Sequence, residues 1–283
     1  SNAIRDLDID YDGTLWIGTL DRGVVRFDGE NWSSYTTQEG LADNSVWLIS
    51  AGAEDTVWAG TQDGLAAFNG ERWERDPIVE DEYGSGAWAV AVAEMPDGAL
   101  WVGTVGDGAA RFDGETWTPY TEENSGLQSE DVYDIALGPD GALWFATFDG
   151  VYRFDGANWS QQLGSEYIVY DVAVDSDDVL WFGTHGAGVF RFDGSTWSSY
   201  DSYTGACSDY LLDIAIAPDG KLWFASSNIA GGDGICSFDG ERWTAYTTAD
   251  GLASNDATAI DVTRDGTVWI GTDSGLSRFV PGD

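Results

Sequence analysis

Carboxylates are the groups with chemical potential that this chain holds in excess. Fifty Asp and Glu face twelve Lys and Arg, for a net charge of −38 over 283 residues, and Lys221 is the only lysine. Two carboxyls flanking a sugar linkage could serve a glycosidase or a lyase as acid and base. With fifty acids some close pair is inevitable, so composition alone singles out none. His185 is the only histidine, which excludes multi-histidine metal centres and acid–base pairs of two histidines. Neither a Gly-x-Ser-x-Gly nucleophile motif nor a glycine-rich phosphate loop before a helix is present. Cys207 and Cys236 are the only cysteines. They are too few for a four-cysteine zinc site, and they are expected to pair as a disulfide if the compartment is oxidising.

The same charge balance bounds the partners. A field this negative repels nucleic acid and anionic membranes, and favours cations, calcium among them, or a basic protein. No run of 18 or more apolar residues occurs, so membrane insertion is not expected. The opening Ser1-Asn2-Ala3 reads as a scar left by a cleaved tag.

These residues sit on a repeat. Leu15-Trp16-Ile17-Gly18-Thr19 returns around Trp58, Trp101, Trp144, Trp181, Trp223 and Trp269, at steps of 42, 43, 43, 37, 42 and 46 residues. A β-rich repeat with a period near forty predicts a β-propeller. One unit reads as four strands: Val132–Leu137, Leu143–Thr147, Val151–Phe154 and Asn158–Ser160, joined by Asp-Gly turns. The expected fold is all-β, a single seven-bladed propeller over residues 4–283. Its blades run approximately 4–35, 46–75, 87–120, 131–162, 168–200, 211–246 and 258–280. Each is an antiparallel meander, and the last has three strands unless a closing strand is lost from one terminus. The small residue after each repeated Trp-x (Gly18, Gly60, Gly103, Ala146, Gly183, Ala225, Gly271) leaves room for the next blade. A second tryptophan per blade (Trp32, Trp73, Trp117, Trp159, Trp197, Trp243) is expected to pack between blades rather than to bind sugar. Arg26, Arg111, Arg153, Arg191 and Arg278 recur on the third strand and are expected to pair with blade carboxylates.

Function is expected where the period breaks. The loops between second and third strands and the inter-blade links share one face, and they carry the variation. Trp47 and Trp88 fall outside the repeat near first-strand starts, as candidates for an exposed rim. Tyr83, Phe148, His185, Tyr203 and Tyr210 join them as candidate ligand-binding residues, amid acids such as Glu80, Glu122 and Glu123. Cys207 precedes the sixth blade and Cys236 follows its enlarged loop, so a bridge would pin that loop. Such a rim suits a cationic partner, or a sugar stacked on a ring and hydrogen-bonded by carboxylates.

The unit Val-x-Asp-Ile-Ala…Asp-Gly-x-Leu-Trp-Phe-Gly-Thr…Gly-Val-x-Arg-Phe-Asp-Gly-x-x-Trp resembles the two-component regulator propeller repeat. The links Gly40-Leu41-Ala42-Asp43-Asn44, Gly126-Leu127-Gln128-Ser129-Glu130 and Gly251-Leu252-Ala253-Ser254-Asn255 resemble that family's Gly-Leu-x-Ser-Asn element. The resemblance implies an extracytoplasmic bacterial sensor propeller of the kind found in hybrid histidine kinases, often glycan-sensing, although their second propeller, membrane helix and kinase are not in this chain. The propeller of streptogramin lyases is similar, but their chemistry uses a metal with a paired histidine and acid, and His185 stands alone. The resulting expectation is a monomeric, non-catalytic module that binds a glycan, another small molecule or a basic protein. The alternatives are a carboxylate-based lyase or glycosidase on the variable face, and a protein-docking scaffold.

Overall fold

The computed structural model describes residues 2–51, 56–76, 87–227 and 231–280. Six sheets have four strands and the seventh has three, each an antiparallel meander in chain order. This is the seven-bladed propeller that the repeat predicts. The innermost strands are Ile4–Ile9, Val46–Ala51, Trp88–Glu94, Val132–Leu137, Val169–Val174, Leu211–Ile216 and Ala257–Val262. They line a central channel. The Leu-Trp-Ile-Gly-Thr strands come second and are almost wholly buried.

Hydrophobic clusters lie between blades rather than within them. At a typical seam a second-strand Trp and a fourth-strand Tyr of one blade meet a third-strand Phe and a fourth-strand Trp of the next. Trp16, Tyr35, Phe68 and Trp73 form one such quartet, with ring centroids 5.1–6.2 Å apart. Trp101, Tyr120, Phe154 and Trp159 form another. Trp73, Trp117, Trp159, Trp197 and Trp243 are therefore seam residues, as expected, whereas Trp32 stacks on Phe27 of its own blade and stays exposed. The periodic arginines are shared between two roles. Arg111, Arg153 and Arg191 approach Asp97, Asp140 and Asp193, while Arg26 and Arg278 lie over Trp16 and Trp269.

The small residue of the second strand works by close approach. A Cβ at Gly60 would come within 2.5 Å of the Ala89 carbonyl oxygen on the next blade, whereas one at Gly183 would sit 3.4 Å from Leu211. A backbone oxygen cannot rotate away, so overpacking at Gly60 costs about 1–3 kcal/mol. Gly60→Ala is expected to lower the melting temperature by several degrees in calorimetry, and Gly183→Ala to leave it nearly unchanged. Equal effects would contradict this account of the seams.

A second set of inter-blade bonds lies along the channel. Asp6 accepts from Ile49 N–H at 2.6 Å and Asp8 from Ala51 N–H at 2.7 Å. Asp134 accepts from Val172 N–H at 3.0 Å, Asp213 from Ile260 N–H at 2.6 Å and Asp261 from Ile9 N–H at 2.9 Å. Asp171 takes the Ile214 N–H. Each carboxyl reaches the inner strand of the following blade. In register with these acids, blade 2 has Leu48 and Ser50, and blade 3 has Ala91 and Ala93, so the girdle skips two seams. The Asp261 bond and a Thr258 hydroxyl donating to the Ile4 carbonyl at 2.8 Å join the last blade to the first.

Cys207 and Cys236 form a disulfide with Cα atoms 6.1 Å apart, tying the link before the sixth blade to that blade's third strand. A crosslink across 29 residues restricts the unfolded chain and is worth about 3–4 kcal/mol. Reduction, or Cys207→Ser with Cys236→Ser, is expected to lower the melting temperature by several degrees. Recovery of two free thiols by non-reducing mass spectrometry would show the bridge to be absent.

Candidate functional site

First strands begin on the face of the inter-blade links, so their opening residues ring the channel mouth there. That mouth encloses a cavity of about 380 Å³. Its wall comes from the residue just before the acid position of each inner strand: Arg5, Trp47, Val90, Tyr133, Tyr170, Leu212 and Thr258. Trp88, one residue ahead of Ala89, adds a further ring. Two aromatic pairs result. Trp47 and Trp88 meet edge to face at 4.9 Å, and Tyr133 and Tyr170 stand 4.9 Å apart. The Arg5 guanidinium lies 4.4 Å from the Trp47 ring centre, a cation–π distance.

The floor is acidic. Asp6, Asp134, Asp171 and Asp213 lie one residue deeper, reachable from the channel and otherwise enclosed. Enclosure penalises the charged form and raises all four pKa values. Asp6 is pushed well up by burial and by Asp213, and Asp171 by burial and by Asp134. Asp213 is raised by burial to about 7. Asp134 is raised by burial too, but a hydrogen bond from Asp171 offsets part of this. Asp134 and Asp171 are thus coupled, and as a pair they retain a proton above the ordinary aspartate range. On the level below, Asp8 and Asp261 form a second such pair, with Asp261 the more strongly raised. Burial raises the Tyr133 and Tyr170 hydroxyls and lowers the Arg5 guanidinium. Three buried atoms of the mouth have no donor or acceptor atom paired with them as side chains stand: Arg5 Nε, Trp88 Nε1 and Asp171 Oδ2.

Chemically, the mouth offers flat apolar faces over hydrogen-bonding carboxyls. It can stack a ring and hold its polar groups. Among the described residues no group of three or more His, Cys, Asp or Glu is placed to hold a metal ion.

The off-period tryptophans thus belong together, in the channel wall rather than on an exposed rim: both are partly buried. His185 packs edge-on against Tyr170 at 5.9 Å and Tyr210 at 5.1 Å, behind the wall. Phe148, 45 % exposed, and Tyr203, 95 % exposed, do not line the cavity. Tyr83 lies outside the described residues. Arg5, Tyr133, Tyr170 and the four acids escaped notice because they sit inside the repeat. Their signal is positional: the wall residue varies from blade to blade, while the residue before it is always small or branched and apolar.

Comparison with known proteins places this geometry in context. Residues 126–149, 162–186 and 251–274 match the two component regulator propeller family model, so three of the repeats read in the sequence are of that type. A segment of 156 residues, 51 % of this chain, is 26 % identical to histidine kinase P4 of Formosa agariphila and spans 11 % of that protein. The extracellular domain assigned to a hybrid two component system of B. thetaiotaomicron superposes with a TM-score of 0.85 at 20 % identity, over all of this chain and 39 % of that one. Virginiamycin B lyase from Staphylococcus aureus superposes with a TM-score of 0.77 at 15 % identity, covering 97 % and 93 % of the two chains. At these identities the structural likenesses speak to fold. This chain spans about a tenth of the kinase and well under half of the extracellular domain. No helix among the described residues is long and apolar enough to cross a membrane.

Proposed function

We propose that this propeller is a non-catalytic, extracytoplasmic binding or sensing module whose ligand seats in the channel mouth. The observation that carries the reading is the pairing of Trp47–Trp88 and Tyr133–Tyr170 around one cavity with hydrogen-bonding carboxyls beneath. Aromatic faces over polar groups suit a sugar ring, whose apolar face stacks while its hydroxyls bond below. The Cys207–Cys236 disulfide supports an oxidising compartment, and the likeness to extracellular domains of two-component systems supports the same placement. A role as a sensor input follows by analogy with those proteins and with the kinase relative.

A glycan array followed by titration calorimetry tests the reading. Trp47→Ala and Trp88→Ala are each expected to weaken binding about tenfold or more, as central aromatic contacts do. Phe148→Ala and Tyr203→Ala are expected to leave it unchanged. Undiminished affinity in the double tryptophan variant would move the site away from the mouth.

A further inference from the structure

We propose that the mouth takes an amino sugar with its amine free, the ammonium held by the floor carboxyls and the ring stacked against the aromatic wall. The inference rests on the mouth being the ligand site and specifies what that site selects.

The charge arrangement comes first. Four carboxyls, from Asp6, Asp134, Asp171 and Asp213, face the cavity, and among the described residues Arg5 is the one cation that lines it. Arg5 is already placed over Trp47, at 4.4 Å. The other titratable groups facing the floor are the Tyr133 and Tyr170 hydroxyls and, on the level below, Asp8 and Asp261, with His185 behind Tyr170 and Asp131 and Asp149 beyond Tyr133. No second cation therefore meets the acids from any described element around them. Asp134 and Asp171 manage this deficit by holding a proton between them. A ligand ammonium can take over that function, donating to both carboxylates while the displaced proton leaves to solvent. The −38 field concentrates cations at such a mouth.

The unpaired atoms specify the remainder of the ligand. Asp171 Oδ2 can accept a bond, whereas Trp88 Nε1 and Arg5 Nε can only donate; all three are closed off as the side chains stand, so a ligand meets them only with a side-chain rotation at the mouth. A simple alkylammonium would serve the first and leave the other two unmet. A neutral sugar would serve the donors and leave the carboxyls without a counter-charge. An acidic sugar would add a further negative charge to this floor and be repelled by its ionised carboxyls. A sugar ring bearing an ammonium and hydroxyls answers each group. The cavity, about 380 Å³, is near the small end of ligand pockets and admits about one or two rings.

Titration calorimetry on the whole chain with glucosamine and its β-1,4-linked dimer, against N-acetylglucosamine, glucose, glucuronic acid and the aliphatic diamine 1,4-diaminobutane, tests this. The amines are expected to bind at least tenfold more tightly than the acetylated and neutral sugars, and glucuronic acid not to bind. The heat is expected to vary with the ionisation enthalpy of the buffer, reporting proton release, and affinity to rise between pH 5 and pH 7. Asp171→Asn and Asp213→Asn, each checked for an intact melting transition, should erase most of the preference for the amine. Equal binding of glucose and glucosamine would overturn the ammonium assignment while leaving the mouth a sugar site. Tight binding of an aliphatic diamine with no sugar bound would overturn the sugar assignment. No binding by any probe, or binding unaffected by Trp47→Ala with Trp88→Ala, would overturn the mouth as the site.

Discussion

Moving from pH 8 to pH 5 is expected to raise the melting temperature of this protein, by on the order of 10 °C. Acid usually destabilises proteins because native carboxylates are paired and their pKa values depressed. Along this channel the sign is reversed. Asp6, Asp8, Asp134, Asp171, Asp213 and Asp261 all have raised pKa values, with burial as the largest cause. A carboxyl that binds its proton more tightly when folded makes the native state the larger proton binder. Stability then falls as pH rises from the unfolded value near 4 through the folded one. For Asp213 that window runs from the ordinary aspartate value of 3.8 to about 7. One pKa unit corresponds to about 1.4 kcal/mol, and between pH 8 and pH 5 only about two units of that window are crossed, so a rigid Asp213 alone contributes roughly 2.6 kcal/mol, less whatever the channel relaxes. At about 2–4 °C per kcal/mol for a chain of this size, the whole set supports the stated rise. Repulsion within a −38 chain weakens on acidification and adds to it. Below about pH 4 the trend should turn, because the Asp-Gly turn carboxyls of Asp28, Asp113, Asp155, Asp193 and Asp239 are held below their usual range by backbone N–H groups. Differential scanning calorimetry at constant ionic strength reads this directly. Asp171→Asn should flatten the slope by fixing a neutral side chain in place of the shared proton. A melting temperature that is flat or falls from pH 8 to pH 5 would show that these acids are ionised without penalty.

The architecture was legible because it is written seven times. Trp16-x-Gly18 and its copies place a large ring and a small residue on one face of a buried strand, and only inter-blade packing explains both. The girdle was not legible. In Val132-Tyr133-Asp134-Ile135 the acid looks like one polar residue in an alternating strand, and nothing local reveals that its partner is Val172, 38 residues on. The mouth was half legible for a related reason. Trp47 and Trp88 stand out because they depart from the repeat, whereas Tyr133 and Tyr170 look like ordinary strand residues. Only ring closure converts seven similar positions into one wall. Phe148 and Tyr203 drew notice as aromatics on the variable face, but that face is wider than the channel, and they stand outside its mouth.

Completing the last blade with a fourth strand is expected to stabilise the ring more than any change at its other seams. The third strand of that blade, Gly275–Phe279, pairs only with the second among the described residues. Among the described residues two neighbouring quartets are incomplete as a result. Trp223, Tyr246 and Phe279 lack a fourth-strand Trp, and Trp269, Phe27 and Trp32 lack a fourth-strand Tyr. Trp32 is consequently 55 % exposed, while its counterpart Trp73 is 2 % exposed. In the fifth blade the missing element reads Trp197-Ser-Ser-Tyr200, with Trp197 opposite Phe192 and Tyr200 opposite Val189. Following Phe279 directly with a copy of Asp193–Tyr200 would set a Trp opposite Phe279 and a Tyr opposite Leu276. Covering Trp32 and burying two new rings at about 25 cal/mol per Å² outweighs the ordering of eight residues by roughly 4 kcal/mol once ladder hydrogen bonds are included. The extended protein is expected to melt on the order of 10 °C higher, with tryptophan emission shifted to the blue as Trp32 leaves solvent. The same extension with Ser at its Trp and Tyr should gain little, because the edge strand would be paired but the quartets still unfilled. Equal stabilisation by both extensions would mean that backbone pairing, not the aromatic seam, limits ring closure. No gain from either would mean that Asp261, Thr258 and the packing of Ile4 on Gly271 already close the ring.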